Sequence, residues 1–157
     1  MRIGFASDIH RLVKNRRLIL AGETIPFELG EEAHSDGDVV FHALAESILG
    51  ALAEGDLGKH FPDTDEDNRD LDSRNIVSYV AELMNIHGYK IGNIDISITL
   101  ERPKLQNYIL SMRKNISSIL NVSLEKVSVK AGTNEKLDDV GSGLAVKAEC
   151  IVLLEEI

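Results

Sequence analysis

Residues 2–10 alternate, with Ile3, Phe5 and Ile9 on one side and Ala6, Asp8 and His10 on the other. Alternate residues of a strand share a face, so a strand is predicted in which Asp8 and His10 project together. Leu18-Ile19-Leu20 followed by Ala21-Gly22-Glu23 predicts a short hairpin over 17–26. The period then changes. Val40, Leu44, Ile48 and Leu52 recur at helical spacing, which predicts a helix from Ser35 to Leu52. Ser35 with Asp38 three positions on resembles a capping box, with Asp in place of the usual Glu or Gln. Residues 56–71, with Gly58, Pro62 and many Asp, read as a loop. A second helix starts at Asp72-Ser73, carries Ile76, Val80, Leu83 and Met84, and stops at Gly88. Ile94, Ile96, Ile98 and Leu100 alternate in a strand over 90–100. A third helix follows Pro103, with Leu105, Ile109, Met112, Ile116 and Leu120 inward and Asn121 as its stop. A strand over 126–131 and a loop over 132–143 lead to a last strand over 144–154. That strand ends in Ile151-Val152-Leu153-Leu154, apolar on both faces, which predicts burial on both sides, against another subunit.

The order β–ββ–α–α–β–α–β–β predicts an α+β fold with helices on one face of a sheet and the other face open to oligomerisation. The 157 residues show no repeat or linker and are expected to form one domain over 1–157. Lys plus Arg is 17 and Asp plus Glu is 26, a net charge of −9, which argues against non-specific nucleic-acid binding. Cys150 is the one cysteine, so a disulfide scaffold is excluded. No apolar run approaches the roughly 20 residues of a membrane span. The opening Met1-Arg2-Ile3-Gly4-Phe5 lacks the long apolar segment of a signal peptide, so the cytoplasm is the expected compartment. If the ligand is anionic, local groups rather than net charge must hold it.

Candidate chemistry starts with Asp8, His10 and His42. Two imidazoles and one carboxylate match a zinc site with an open fourth position, the arrangement used in catalysis. The same residues also read as a surface Asp-x-His and an unrelated helical histidine. His34-Ser35-Asp36-Gly37-Asp38 precedes the helix bearing His42. A helix start offers free N–H groups and a partial positive charge to an anion, with His34 and Ser35 as added donors. Ser35, Asp36 and Asp38 also read as caps of the helix, and the two roles are compatible. Asp38 and Glu46 each lie four residues from His42, and either could hold the far nitrogen of its ring; a solvated charge is the plainer reading of Glu46. Asp63-Thr64-Asp65-Glu66-Asp67 superficially resembles a calcium loop, but Asn68 at its sixth position and Arg74 at its twelfth exclude one. At the end of the strand over 126–131, Thr133 and Glu135 suit a phosphate oxygen and a hard cation. There is no Walker loop and no Gly-x-Gly-x-x-Gly. His60 and His87 suggest no role.

Several segments in order, Asp8-Ile9-His10, His34 to Asp38 with His42, Gly55-Asp56-Leu57-Gly58, Phe61 to Asp65, Asp72-Ser73-Arg74, Pro103-Lys104 and Thr133 to Lys136, together resemble the 2-C-methyl-D-erythritol 2,4-cyclodiphosphate synthase family of the non-mevalonate isoprenoid pathway. The resemblance implies a homotrimer with active sites between subunits, each subunit giving a four-stranded sheet with helices outside and sheets meeting around the threefold axis. It implies conversion of 4-diphosphocytidyl-2-C-methylerythritol 2-phosphate to the cyclic diphosphate and CMP, a phosphorus–oxygen lyase reaction. Asp8, His10 and His42 match its zinc ligands, and Glu135 the ligand of a second divalent ion, magnesium or manganese. His34 and Ser35 match contacts to the methylerythritol phosphate, and Asp56, Leu57 and Gly58 lie at the ribose contacts. Phe61, Asp63 and Asp65 match the methylerythritol pocket. Leu100, Pro103, Lys104, Leu105 and Gln106 match the cytosine pocket, with Lys104 near the phosphates. Gly132 and Thr133 match phosphate contacts, with His34 and Thr133 assigned to transition-state stabilisation. Where the family usually carries a Phe-Thr-Gly-Arg-type run and a downstream Glu, this chain reads Leu137-Asp138-Asp139-Val140-Gly141-Ser142-Gly143-Leu144. The residue types by themselves also fit a zinc-dependent phosphohydrolase or a metal- or nucleotide-binding module.

Overall fold

A computed structural model describes residues 1–157. Alternation over the first residues extends into β1 (Arg2–Val13), followed by the hairpin strands β2 (Leu18–Leu20) and β3 (Glu23–Ile25) and a two-residue strand, β4 (Gly30–Glu31). Helix α1 (Val39–Leu52) and the one-turn α2 (Leu57–His60) lead to α3 (Ser73–Ile86). β5 (Tyr89–Thr99), α4 (Ile109–Leu120), β6 (Val127–Gly132), the short α5 (Asp138–Gly141) and β7 (Ala145–Glu156) complete the chain. The main sheet has the order β4-β1-β7-β5-β6, with β2 and β3 paired separately. β5 and β6 are parallel, joined through α4; the other pairs are antiparallel.

Several expectations need correction. Helix α4 starts at Ile109, so Leu105 lies outside it, and the segments read as loops over 56–71 and 132–143 hold the short helices α2 and α5. The sheet has five strands rather than four, because Gly30 and Glu31 add an edge to β1 opposite Val13 and Leu12. Two residues carry no readable period, so only the fold reveals this strand. Helix α1 begins at Val39 rather than Ser35. Gly37 has φ +87°, a left-handed turn that no helix passes through, so Ser35 is left outside the helix.

Helix α1 is buried on nearly every side, from Val39 and Phe41 to Leu49 and Leu52, because it lies between the sheet and α3. At Gly4 a Cβ would run into the Ser47 carbonyl, so glycine is what lets β1 approach α1 closely. The opposite sheet face has no cover within one chain. Ile3, Phe5, Ile9 and Ile151 are exposed there by 72%, 59%, 53% and 51%. In β7, Val152 and Leu154 enter the core while Ile151 does not, so within one chain that strand is buried on one face only.

Asp38 caps α1. Its side chain accepts hydrogen bonds from the N–H groups of Ala21, Gly22, Val40 and Phe41 at 2.9, 2.7, 3.1 and 3.0 Å. Burial still pushes its carboxyl up to about 6. Burial and the Asp38 charge push the neighbouring buried Glu31 up to about 9. Glu31 Oε2 accepts from the Ile19 N–H at 3.0 Å, but Oε1 has no partner. A carboxyl that holds its proton more tightly when folded loses stability as pH rises, here from its ordinary 4.5 to about 9. The limiting slope is about 1.4 kcal/mol per pH unit. Glu31→Gln is therefore expected to gain Tm relative to the parent as pH is raised through that window. Parallel Tm–pH curves would contradict the burial argument.

Candidate metal centre and its surroundings

The period-two geometry of β1 sets Asp8 and His10 on one face, and α1 crosses that face with His42 as a polar break in its apolar surface. Asp8 Oδ2 lies 3.1 Å from His10 Nε2 and 3.4 Å from His42 Nδ1, and the two nitrogens are 3.4 Å apart. Zinc bonds of about 2.0–2.1 Å at tetrahedral angles separate ligand atoms by about 3.3 Å. The three side chains thus sit at the spacing of one face of a zinc tetrahedron, and they are the one group of metal-ligating side chains this close together.

The three side chains are held from behind. Asp8 Oδ1 accepts from the Ile9 N–H at 2.9 Å. His10 Nδ1 lies 2.7 Å from the Gly37 carbonyl, which accepts its hydrogen and leaves Nε2 bare. His42 Nε2 lies 3.0 Å from Ser73 Oγ and 3.1 Å from Ser35 Oγ. Burial alone would raise the Asp8 carboxyl, but the adjacent His10 and His42 rings outweigh it and hold it well below the usual carboxylate range. Burial opposes charging of His10, yet its contact with Asp8 raises it.

Neither residue expected behind His42 is there. Asp38 turns inward to its four N–H donors, and Ser35 and Ser73 take its place. Glu46 instead lines the cavity, raised by burial and by the Asp8 and Asp56 charges. The capping expected at the α1 start is present. Asp38 occupies the Val40 and Phe41 N–H groups, so these two first-turn donors are not open to an anion. In the sequence Ser73 signals only a helix start. It stands 31 residues from His42, and no local spacing connects them.

The cluster opens on a cavity of about 350 Å³. His34 and Ser35 line it, together with Leu57, Gly58, Phe61 and Asp63. Arg16 fastens the loop carrying them, donating to the Glu31 and Ser35 carbonyls at 3.0 and 2.8 Å. Asp65 contributes its carbonyl, 3.3 Å from His34 Nε2. Asp56 caps α2, accepting from the Lys59 N–H at 3.0 Å. His60, without a role in sequence, ties α2 to its neighbours through the Tyr79 hydroxyl and the Glu54 carbonyl, both at 3.1 Å. Cys150 is core: burial pushes its thiol up to about 12.

A second cavity, of about 430 Å³, gathers Leu100, Pro103, Lys104, Leu105 and Gln106 with Gly132 and Thr133. Glu135 stands exposed on the following turn, its N–H 3.3 Å from Thr133 Oγ1. Across the sheet Asp8 pairs with Ala148, Ala148 with Ile98, and Ile98 with Ala131. Three strand gaps of about 4.8 Å separate the metal cluster from the end of β6 by about 14 Å. Within one chain the structure does not bring Thr133 and Glu135 to the Asp8, His10 and His42 group. No helix is long and apolar enough to cross a membrane.

Comparison with known proteins adds to this geometry. The YgbB family model matches residues 1–155. A 2-C-methyl-D-erythritol 2,4-cyclodiphosphate synthase of Brachyspira hyodysenteriae is 49% identical over 156 residues, covering 99% of each chain. One from Clostridium perfringens is 49% identical over 154 residues, covering 98% of this chain and 99% of that one. A solved synthase of the same name in its CDP-bound form superposes with TM-score 0.90 at 34% identity, over 98% of this chain and 100% of that one. The bifunctional IspDF from Campylobacter jejuni superposes with TM-score 0.95 at 35% identity. That match covers 99% of this chain but only 42% of the longer bifunctional protein. On full-length identity and matching architecture, the chain belongs to the YgbB family, that of the 2-C-methyl-D-erythritol 2,4-cyclodiphosphate synthases.

Proposed function

We propose that the chain, acting as one domain over 1–157 in the cytoplasm, converts 4-diphosphocytidyl-2-C-methyl-D-erythritol 2-phosphate to 2-C-methyl-D-erythritol 2,4-cyclodiphosphate and CMP. The observation that carries this reading is the tetrahedrally spaced Asp8, His10 and His42 opening on a cavity lined by His34 and Ser35. Zinc on those three residues, and magnesium or manganese on Glu135, would supply charge neutralisation and polarise phosphoryl oxygens.

The substrate brings its own nucleophile. Its 2-phosphate is already anionic, so the protein needs no strong base. An oxygen of that phosphate bonds to the β-phosphorus, the bond from the β-phosphorus to the bridging oxygen breaks, and CMP leaves with that oxygen. The task for the side chains is to fold two repelling anionic groups together and hold them in line. His34 and Ser35 present hydrogen-bond donors to the methylerythritol phosphate. Phe61, Asp63 and Asp65 enclose the methylerythritol unit, and Asp56, Leu57 and Gly58 take the ribose. The cytosine lies against Leu100, Pro103, Leu105 and Gln106. Lys104, Gly132 and Thr133 face the phosphates, and His34 and Thr133 steady the charge that develops during transfer. These local groups, rather than a net charge of −9, hold the anion.

The separation of about 14 Å between the two halves of the site favours a homotrimer in which neighbouring copies complete each other. The exposed apolar strip of Ile3, Phe5, Ile9 and Ile151 is the surface that such an assembly covers.

Mass spectrometry of the product tests the reaction. The expected products are the cyclic diphosphate and CMP in equal amounts. A linear hydrolysis product would assign the open site to a phosphohydrolase, and nucleotide binding without CMP release would make the protein a binding module. Glu135→Gln is expected to weaken activation by added magnesium or manganese by about tenfold, the lower end for a lost metal partner. An unchanged metal titration would remove Glu135 from the site.

A further inference from the structure

We propose that Ser73, anchored by Asp36, is a positioning residue that decides which nitrogen of His42 faces Asp8 and His10. The inference rests on the metal reading above and concerns the chain's own side chains. Ser73 is completely buried in the first turn of α3. Its hydroxyl donates to Asp36 Oδ1 at 2.5 Å, and its N–H donates to Asp36 Oδ2 at 3.2 Å. A serine hydroxyl has one hydrogen and two lone pairs. With that hydrogen committed to Asp36, Ser73 Oγ can only accept from His42 Nε2, 3.0 Å away. Nε2 therefore carries the ring hydrogen. In a neutral imidazole Nδ1 is then a bare lone pair. Nδ1 is the atom that lies 3.4 Å from both Asp8 Oδ2 and His10 Nε2.

His10 is set the opposite way. The Gly37 carbonyl takes its Nδ1 hydrogen and frees Nε2 toward the same point. The two rings are thus held in opposite tautomers by different acceptors, and both present lone pairs to one centre. Ser35 Oγ also lies 3.1 Å from His42 Nε2, but its hydrogen, unlike that of Ser73, is not committed to another group, so it does not fix the tautomer. Its oxygen accepts from the Gly37 N–H at 3.2 Å, and its own hydrogen has no required protein acceptor. It lines the cavity and is free to donate into it.

Long-range nitrogen-15 spectra of the imidazoles, recorded on metal-free protein at alkaline pH where the rings are neutral, read the tautomer directly. Zinc affinity by chelator competition is measured alongside. The parent is expected to show His42 with hydrogen on Nε2. Ser73→Ala should mix the tautomers and weaken zinc about 10- to 100-fold, the range for loss of a group behind a metal ligand. Ser73→Thr, which keeps the hydroxyl, should restore both, and Ser35→Ala should leave the tautomer unchanged. Hydrogen on Nδ1 in the parent overturns the proposal without any variant. So does a folded Ser73→Ala protein with unchanged tautomer and zinc affinity. A parent with the Nε2 hydrogen that binds no zinc would sustain the tautomer assignment and overturn the metal reading alone.

Discussion

His42→Ala is expected to lose stoichiometric zinc and to lower turnover by on the order of 10³-fold or more, about 4 kcal/mol of transition-state stabilisation. The variant should still fold. His42 sits on α1, whose packing is carried by Val39, Phe41, Leu44 and Ile48. Its ring instead borders a water-accessible cavity. Removing it leaves Asp8 and His10 as the remaining close pair, at 3.1 Å, which is one ligand short of the usual three of a catalytic zinc. Metal content after dialysis, circular dichroism and CMP release are the measurements. Retained stoichiometric zinc would contradict the ligand set, and a collapsed fold would show that the ring is structural.

Phe5→Asp is expected to turn the proposed trimer into a folded monomer and to lower turnover at least a hundredfold, about 2.7 kcal/mol. Phe5 is 59% exposed and faces Ile151 across the β1–β7 ladder. Burying a phenyl ring contributes roughly 1.5–3 kcal/mol, and assembly supplies that burial once per copy. An aspartate there loses the apolar gain and must shed its water against the neighbouring copies, a further cost of several kcal/mol. The core on the helix side of the sheet is untouched, so the single chain keeps its fold. On the proposed assembly, activity falls because Thr133 and Glu135 of one copy would no longer meet the Asp8, His10 and His42 cluster of the next. Light scattering combined with steady-state kinetics decides. A fully active monomer would show that one chain suffices, and an intact trimer would place the interface elsewhere.

The site is partly legible in the order of residues because part of it is local. Asp8 and His10 share a face by strand geometry alone, and the cavity-facing His34 and Ser35 stand next to the helix they were expected to precede. The acceptors behind the candidate metal ligands are not local. The i±4 rule pointed from His42 to Asp38 and Glu46, yet Asp38 meets Ala21 and Gly22 from the β2–β3 hairpin. A buried carboxylate follows the largest number of N–H donors, and those come from another element. The link proposed between Thr133, Glu135 and the cluster comes from the family resemblance and not from spacing.

What the sequence determined by itself is the set of long strands and helices, the start of α3 at Asp72, its neighbour α4's end at Asn121, and the shared face of Asp8 and His10. These depend on periodicity and capping, which act over a few residues of one segment. The tertiary structure decided that His42 closes on that face across 32 residues, that Gly37 and Ser73 stand behind the two rings, and that Gly30 and Glu31 form a sheet edge. Those outcomes depend on how α1 and α3 settle on the sheet, because contacts between distant segments are chosen by packing and burial of the whole chain rather than by any local pattern.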